Sequence, residues 1–136
     1  MSVDKSFSTQ SKGVVALAGG AKTSDTTGVN INLKGWYAQT FYVDIGAWTD
    51  GTHTISLEAS DDGSTWVDVP ATDIVGTPPV ISDATLDGAM RAFDYKGLAK
   101  SVRVKTTVAG ATTGATYQVF AVLHHPDASN NELASS

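Results

Sequence analysis

The chain has 136 residues, no cysteine and a net charge of −5, which describes one acidic domain long enough to fold without a disulfide or a structural metal ion. Its lysines and arginines form no basic cluster, so binding to the polyanionic backbone of nucleic acid is excluded as an expected function. The longest apolar run falls far short of the ~20 residues that a membrane-spanning helix needs, so no membrane partner is expected either.

Residues 1–12 are predicted to form a flexible N-terminal arm. They are polar, and after the first methionine their only large apolar residues are Val3 and Phe7. So little apolar surface cannot offset the ~1–2 kcal/mol per residue that ordering the backbone costs. We therefore expect the arm to be ordered by a neighbouring subunit or another partner. The same residues lack the apolar core of a secretory signal, which predicts a protein made in the cytoplasm.

Residues 13–126 carry the pattern of β-strands. Apolar and polar residues alternate with a period of two, and windows with a helical period of 3.6 are absent. The strongest alternation places these residues on one face of their strands: Phe41, Val43 and Ile45; Ile55, Leu57 and Ala59; Val102, Val104 and Val108; and every second residue from Ala115 to Leu123. Shorter strands are predicted over residues 13–18, 29–33, 65–69 and 89–95. About eight such strands predict a single antiparallel β-sandwich or jelly-roll-like domain.

The last predicted strand is apolar on both faces. Its second face carries Phe120 and Val122, which is typical of a central strand or of one covered by a neighbour. The residues after Pro126, 127–136, are rich in Ser, Asn and Ala, and they predict a flexible C-terminal tail.

Glycine and proline mark the connections between strands. The pairs Asp50-Gly51, Asp62-Gly63 and Asp87-Gly88 are typical of tight turns. Thr112-Thr113-Gly114 is predicted to be a hairpin tip that joins the last two strands. Pro78-Pro79 has no N–H groups to donate and predicts a loop that crosses between sheets.

No catalytic constellation is evident, and we expect no enzyme activity and no cofactor. A nucleophilic enzyme needs a nucleophile, a base and an orienting group, but the chain has no cysteine and no Gly-x-Ser-x-Gly turn. His53 lies in a strand pattern next to a turn, and it is predicted to be an outward-facing strand residue. A glycine-rich phosphate-binding loop is also missing.

Two clusters contain residue types that bind metal ions, yet no metal site is predicted. His124 and His125 are adjacent on a strand and point to opposite faces, so they do not chelate one ion easily with Asp127. Asp61-Asp62-Gly63-Ser64 offers oxygen ligands, but the alternate ligands and the closing Glu of a calcium loop are missing. A tight turn accounts for this second cluster.

The aromatic residues leave a carbohydrate-binding alternative open. An exposed platform would stack on sugar rings if it were formed by Trp36, Trp48 and Trp66 with Tyr37, Tyr42 and Tyr95. Core and interface positions are the favoured interpretation of these residues.

A series of motifs runs through most of the predicted domain. In chain order they are Val43-Asp44-Ile45-Gly46-Ala47-Trp48-Thr49-Asp50-Gly51, Asp61-Asp62-Gly63-Ser64-Thr65-Trp66, Tyr95-Lys96-Gly97, Thr113-Gly114-Ala115 and His124-His125-Pro126. This order resembles a family of small virion proteins of tailed bacteriophages, several of which are capsid decoration, or cement, proteins. The resemblance spans residues 29–126 and brings no catalytic residues with it.

The resemblance implies a structural protein on the capsid surface of the virion, made in the cytoplasm of the bacterial host. Its implied partners are the major capsid protein, whose subunits it would bridge, and itself, as a homodimer or homotrimer. The residues that we expect at capsid or oligomer contacts are Val3, Phe7, Trp36 and Trp48. The alternatives are a head–tail connector or tail-tube protein and, from a different class, a carbohydrate-binding β-sandwich module.

Overall fold

The computed structural model describes residues 11–126, with the backbone alone for His125 and Pro126. The predicted tail and all of the predicted arm before Ser11 lie outside the described residues. The described strands are β1 (Ser11–Leu17), β2 (Ala21–Lys22), β3 (Thr26–Thr27), β4 (Ile31–Asn32), β5 (Trp36–Trp48), β6 (Thr52–Ser60), β7 (Val67–Asp68), β8 (Ile74–Val75), β9 (Val80–Ile81), β10 (Met90–Tyr95), β11 (Ser101–Ala109) and β12 (Ala115–Pro126). Two short 3-10 helices cover Ala71–Asp73 and Ala84–Leu86.

The strands form two antiparallel sheets, as the period-2 pattern predicts. The first sheet has the order β1-β12-β5-β10-β8, with β2 paired to β12. The second sheet has the order β3-β11-β6-β7, with β4 paired to β11 and β9 paired to β6. Each of the eight predicted strands has a counterpart, and the four additional strands, β2, β3, β8 and β9, have two residues each. The β-sandwich prediction is confirmed.

The core lies between the sheets and is built from alternate residues of the long strands. Phe41, Val43 and Ile45 of β5 are buried, and so are the five predicted inward residues of β12. The ring of Phe41 stacks on that of Phe93 with centroids 5.4 Å apart. On β11 the alternation holds through Thr106, which is buried, while Val108 near the strand end is partly exposed.

The predicted hairpin at Thr112-Thr113-Gly114 is wrong. β11 belongs to the second sheet and β12 to the first, so this connection crosses between the sheets. The connection from β5 to β6 crosses at the same end of the sandwich, and the two loops are joined because the Asp50 carboxylate accepts hydrogen bonds from the second loop. The predicted crossing at Pro78-Pro79 is confirmed, since β8 lies in the first sheet and β9 in the second.

The first strand begins at Ser11, two residues before the predicted start of the β-sandwich domain at Gly13. Ser11 pairs with His124 and Lys12 pairs with Leu123. β1 is therefore an edge strand of the first sheet, and the chain enters the described sandwich beside the end of β12.

Candidate interaction surfaces

The outward face of the second sheet is polar along β6 and β11, with Val80 of β9 half-exposed beside Thr54. Glu58 of β6 accepts a hydrogen bond from Arg103 Nε of β11 at 2.8 Å, and Lys105 Nζ lies 3.7 Å from the other oxygen of this carboxylate. The Arg103 guanidinium also lies over the Trp66 ring, 4.2 Å from its centroid. Thr54 continues this polar face along β6. An antiparallel sheet with one face on the core normally presents such a surface to water.

The outward face of the first sheet carries a row of apolar side chains. Cross-strand pairing places Val15, Phe120, Tyr42 and Ala92 in one row across four strands. We call the following residues the apolar face: Val15, Tyr42, Val75, Met90, Ala92, Phe120 and Val122. Val15, Val75 and Met90 each expose about half of their surface. A contiguous apolar surface of this kind marks an interaction site more often than a single exposed apolar residue does.

The charged side chains on the apolar face are acidic in the part of the chain that the structure describes. Asp44 faces outward beside Met90, and Asp94 faces outward beside Val75. The Asp44 carboxylate accepts a hydrogen bond from Gln118 Nε2 at 3.1 Å. A partner that covers this face meets apolar side chains together with two carboxylates.

A cleft of about 1040 Å³ opens at the end of the sandwich where β5 begins. We call it the end cleft, and its lining includes Trp36, Tyr37, Val75, Leu98 and His124. Tyr37 is 77% exposed and Leu98 is 96% exposed, which makes them the two most exposed large apolar side chains of the described residues. The end cleft is thus a second surface with uncovered apolar groups.

Residues 96–100, which we call the Leu98 loop, form one wall of the end cleft. The loop wraps around Tyr95, and a Cβ atom at Gly97 would clash with the Tyr95 phenol. Three backbone N–H groups of the loop have partners: Lys96 N donates to Asp73 O at 2.8 Å, Ala99 N to Tyr95 Oη at 3.2 Å, and Lys100 N to Asp61 Oδ1 at 3.2 Å. These bonds hold the backbone on both sides of Leu98, whose side chain is exposed.

His53 is buried, and the prediction that it faces outward is wrong. It shares the inward face of β6 with Ile55 and Leu57 and has no exposed surface. Its Nε2 donates to the carbonyl of Asp50 at 3.0 Å, so in the neutral ring Nδ1 accepts from the hydroxyl of Tyr117 at 3.0 Å. A carbonyl only accepts, which fixes this tautomer.

The hydroxyl groups of Tyr117 and Thr106 extend the hydrogen bonds of His53 across the core of the sandwich. Tyr117 Oη on the first sheet lies 2.6 Å from Thr106 Oγ1 on the second sheet. Burial raises the pKa of the Tyr117 phenol, so the group stays protonated and available for hydrogen bonding. This network joins the two sheets inside the core.

Lys22 is a buried cation that the sequence pattern did not predict. Its Nζ donates to the carbonyls of Ala18 at 2.7 Å, Gly20 at 3.1 Å and Tyr117 at 3.2 Å. Burial lowers its pKa. A lysine after a Gly-Gly pair normally indicates a solvated loop, so no local signal distinguishes this one.

The Asp62 cluster forms the predicted tight turn. Asp62 Oδ1 accepts from the backbone N–H groups of Ser64 and Thr65, both at 2.8 Å, and from Ser60 Oγ at 3.0 Å. These hydrogen bonds lower the pKa of Asp62 to about 2.

The side chains of the two clusters considered as metal ligands do not come together in the described part of the chain. His124 Nε2 lies 2.9 Å from Thr40 Oγ1 on the outward face of the first sheet. No group of three His, Asp or Glu side chains between residues 11 and 126 is placed to hold a metal ion. Asp127 and the side chain of His125 are not described.

The four predicted contact residues lie in different places. Val3 and Phe7 are outside the described residues. Trp36 and Trp48 are at opposite ends of β5, roughly 40 Å apart for an extended strand, and both pack partly against the core. Trp48 Nε1 donates to the carbonyl of Gly51 at 2.7 Å. The structure does not bring the two tryptophans together.

The aromatic residues considered for a sugar platform do not share one face either. Trp36 and Tyr37 line the end cleft, while Tyr42 belongs to the apolar face and Trp66 to the second sheet. Tyr95 is buried. Two aromatic side chains, at most, are left for a ligand in the end cleft.

Comparison with known proteins supports the fold. No family model matches the chain, and no curated protein matches its sequence. Among solved structures, the SPBc2 prophage-derived protein YomS is 16% identical, with 85% of this chain and 93% of that protein covered and a TM-score of 0.50. A protein of Bacillus endospore appendages, which are pili, is 14% identical, with 82% and 81% covered and a TM-score of 0.44. A xylan-binding domain of Paenibacillus barcinonensis Xyn10C is 12% identical, with 88% of each chain covered and a TM-score of 0.43.

These matches include a phage protein, a pilus protein and a carbohydrate-binding module, and at such identities the likeness is one of fold.

Within residues 11–126 no helix is long and apolar enough to cross a membrane.

Proposed function

We propose that this chain is a structural protein of a tailed-phage virion that decorates the capsid and stabilises it by binding the assembled shell through the apolar face. The observation that carries the proposal is the contrast between the two outward faces of the sandwich. The long strands of the second sheet carry ion pairs and hydroxyl groups on their outward face, and its exposed valines, Val67 and Val80, lie on two-residue strands, whereas the first sheet exposes a row of apolar side chains that includes Val15 and extends to Met90. A domain that is surrounded by water on both sides gains nothing from such a face.

The partner surface that fits is apolar and carries cationic side chains. Asp44 and Asp94 are the charges on the apolar face among the described residues, so lysine or arginine side chains of the major capsid protein would complement them. Stacking two copies of this chain face to face would instead bring four carboxylates close together, which is unfavourable. The proposal therefore places the capsid protein, and not a second copy, on the apolar face.

Stabilisation follows from binding the assembled shell in preference to free capsid subunits. Any molecule that binds only the assembled state shifts the equilibrium towards that state by mass action. If one oligomer touches several capsid subunits, linked contacts raise the effective concentration without each contact being strong. This role needs interface area and valency, and it needs no catalytic group.

Two further observations support the phage assignment. The fold is shared with a prophage-derived protein over most of both chains. The order of motifs from Val43 to Pro126 is the one that resembles small virion proteins.

The experiment is to purify the phage particles that contain this chain and to count its copies. A decoration protein is expected in hundreds of copies on the outside of the shell. A copy number near six or twelve would instead indicate a neck or tail component and would contradict the proposal. Rings or tubes of the isolated protein in negative-stain images would favour the tail-tube alternative.

Carbohydrate binding is a second candidate because Tyr37 is 77% exposed beside Trp36 in the end cleft. The polar groups of the cleft are less suited to sugars. Asn32 Oδ1 accepts from Lys34 N at 2.9 Å, and Asp61 Oδ1 accepts from Lys100 N, so these oxygens already hold loops. Quenching of tryptophan fluorescence by a polysaccharide, abolished by Trp36→Ala, would favour this candidate over the virion role.

A further inference from the structure

Within the described residues, β1 is the one long strand that ends a sheet. Its seven residues, Ser11–Leu17, pair with β12 on one side. The other strands at the edges of the sheets have two residues each: β2, β3, β4, β7, β8 and β9. A very short edge strand protects a protein against pairing with another chain, because it offers few backbone N–H and C=O groups. β1 does not have this protection.

The segment that follows β3 limits the free part of this edge. Val29 N donates to the carbonyl of Ala16 at 3.0 Å, and a Cβ atom at Gly28 would clash with the same carbonyl. A strand that lies alongside β1 therefore has to end before Ala16. No strand of the described residues covers the outer side of residues 12–15. Every second residue there directs its backbone N–H and C=O groups away from β12, and a further strand can bind to these groups.

The side chains of β1 alternate between the two faces of the first sheet. Gly13 and Val15 are on the outward side, where Gly13 pairs with Val122 of the apolar face. Lys12 and Val14 are on the other side, and Val14 packs partly against the core. A Cβ atom at Gly13 would meet nothing within 4 Å. A strand that pairs with β1 must therefore oppose Gly13 with a residue of its own outward side.

A second copy can supply such a strand, since two β1 strands can pair antiparallel around a two-fold axis. An axis at Val14 would set Lys12 against Ala16, whose outer side is already occupied by Val29. An axis at Gly13 sets Gly13 against Gly13 and keeps the pairing before Ala16. Lys12 then lies opposite the partner's Val14, and its methylene groups can cover this half-buried side chain.

The orientation of the two copies favours a second copy over an unrelated strand. A two-fold axis between antiparallel strands stands perpendicular to the sheet, so both copies present the apolar face on the same side. Val122 of each copy pairs with Gly13, so only two glycines lie between the two Val122 side chains. The two apolar faces are therefore continuous across the axis. A shell that binds this face can contact both copies at once.

We propose that two copies of this chain pair through β1, antiparallel around a two-fold axis at Gly13. The two first sheets then form one continuous sheet with the order β8-β10-β5-β12-β1-β1-β12-β5-β10-β8. This self-association goes beyond the proposed function, because it requires no capsid and leaves both apolar faces uncovered. On a shell, the two linked faces raise the effective concentration of each other.

The test places charges at the axis in the full-length protein and follows self-association by sedimentation velocity over a dilution series. Wild type is expected to show a concentration-dependent pair of copies. Gly13→Asp and Gly13→Lys should each associate roughly fivefold more weakly, because like charges directly opposite each other destabilise an antiparallel strand pair. An equimolar mixture of the two variants should associate more tightly than either variant alone, since opposite charges then meet at the axis.

The matched controls are Thr54→Asp and Thr54→Lys, at an exposed position on the outward side of β6 in the second sheet. They make the same changes in net charge and should associate like wild type, alone and mixed. Melting temperatures of all variants verify that the sandwich is folded. The proposal is overturned if wild type stays monomeric at all concentrations, or if mixing the two Gly13 variants gives no tighter association than either alone.

Single cysteines test the register, because the chain has none of its own. Directly opposite residues of an antiparallel pair have Cα atoms about 4.5–5.5 Å apart, which a disulfide spans. The two Lys12 residues would be roughly 8 Å apart, two positions out of register, which is too far for a disulfide. Gly13→Cys should therefore form a covalent pair on mild oxidation, and Lys12→Cys should not.

Equal cross-linking of the two cysteine variants would contradict the axis at Gly13 and overturn the proposal. Neither this result nor a monomeric wild type would change the copy number on virions, which tests the proposed function separately.

Discussion

The carboxylate of Asp50 accepts a hydrogen bond from the backbone N–H of Gly114 at 2.6 Å. The same carboxylate accepts from the Thr112 hydroxyl at 2.6 Å and from the N–H of Thr113 at 3.1 Å. These bonds join the two loops that cross between the sheets at one end of the sandwich. They also lower the pKa of Asp50 to about 2, with the Thr112 hydroxyl as the largest cause.

Acid is expected to destabilise the domain through Asp50 and Asp62, whose pKa values are both lowered to about 2. A carboxylate with a folded-state pKa below its unfolded value stabilises the protein above about pH 4. This contribution is lost as the pH falls from about 4 to about 2. Asp50→Asn should be less stable at pH 7 and should lose less stability in that window. Urea unfolding at pH 7, 4, 3 and 2 measures both effects, and an equal loss in variant and wild type would contradict the assignment.

Tyr117→Phe should destabilise the domain by about 1–3 kcal/mol, the usual cost of leaving a buried polar group without its partner. The missing hydroxyl leaves His53 Nδ1 and Thr106 Oγ1 without the partner they share inside the core. Tyr42→Phe on the outward face of the first sheet is the matched control and should change stability little. Equal free energies of unfolding for the two variants would show that the network does not stabilise the fold.

Gly114→Ala should destabilise the domain by more than about 1 kcal/mol, since alanine is strained at positive φ. Gly114 has a φ of +82°, and a Cβ atom there would clash with the carbonyl of Lys22. Gly13→Ala is the control, because a Cβ atom at Gly13 meets nothing within 4 Å. Thermal melts of both variants check the prediction, which fails if they are equally stable.

Replacing both acidic groups of the apolar face, Asp44→Asn with Asp94→Asn, should slow binding to assembled shells and reduce its dependence on salt. Salt screens the attraction between exposed charges. Without the two carboxylates, less of the association rate depends on this attraction, so salt should slow binding less. Asp68→Asn, an exposed carboxylate on the second sheet, is the control and should bind like wild type. Association rates at low and high salt make the comparison. Unchanged rates for the double variant would mean that the partner surface is not cationic.

Much of the fold could be predicted because the long strands alternate strictly. The alternate residues of β12 from Ala115 to Leu123 are all buried as expected. The apolar pair Phe120 and Val122 favoured a central strand or one covered by a neighbour, and β12 lies between β1 and β5 in the first sheet. The additional strands β2, β3, β8 and β9 were not predicted because each has two residues, and two residues show no period. The hairpin was mispredicted because turn residues look alike whether the flanking strands pair with each other or enter different sheets.

His53 shows a different kind of failure. It is two residues before Ile55, so the alternation itself places it inward, but its polar side chain suggested solvent. The end cleft gave no signal in the sequence, because Tyr37 and Leu98 are 61 positions apart in the chain and are brought together by the pairing of β10 with β5. Surfaces of this kind depend on long-range pairing that local patterns do not contain.

The most direct test of the account is cosedimentation of the full-length protein with assembled capsid shells. Phe120→Ser combined with Val122→Ser removes the centre of the apolar face, and Val15→Ser is a milder variant at the exposed edge strand. Thr54→Ser with Thr107→Ser, a cross-strand pair on the second sheet, is the matched control, and melting temperatures verify folding. We predict that the double variant on the apolar face binds shells at least about tenfold more weakly, that Val15→Ser is intermediate, and that the control binds like wild type. Binding of the double variant as tight as that of wild type would contradict the account.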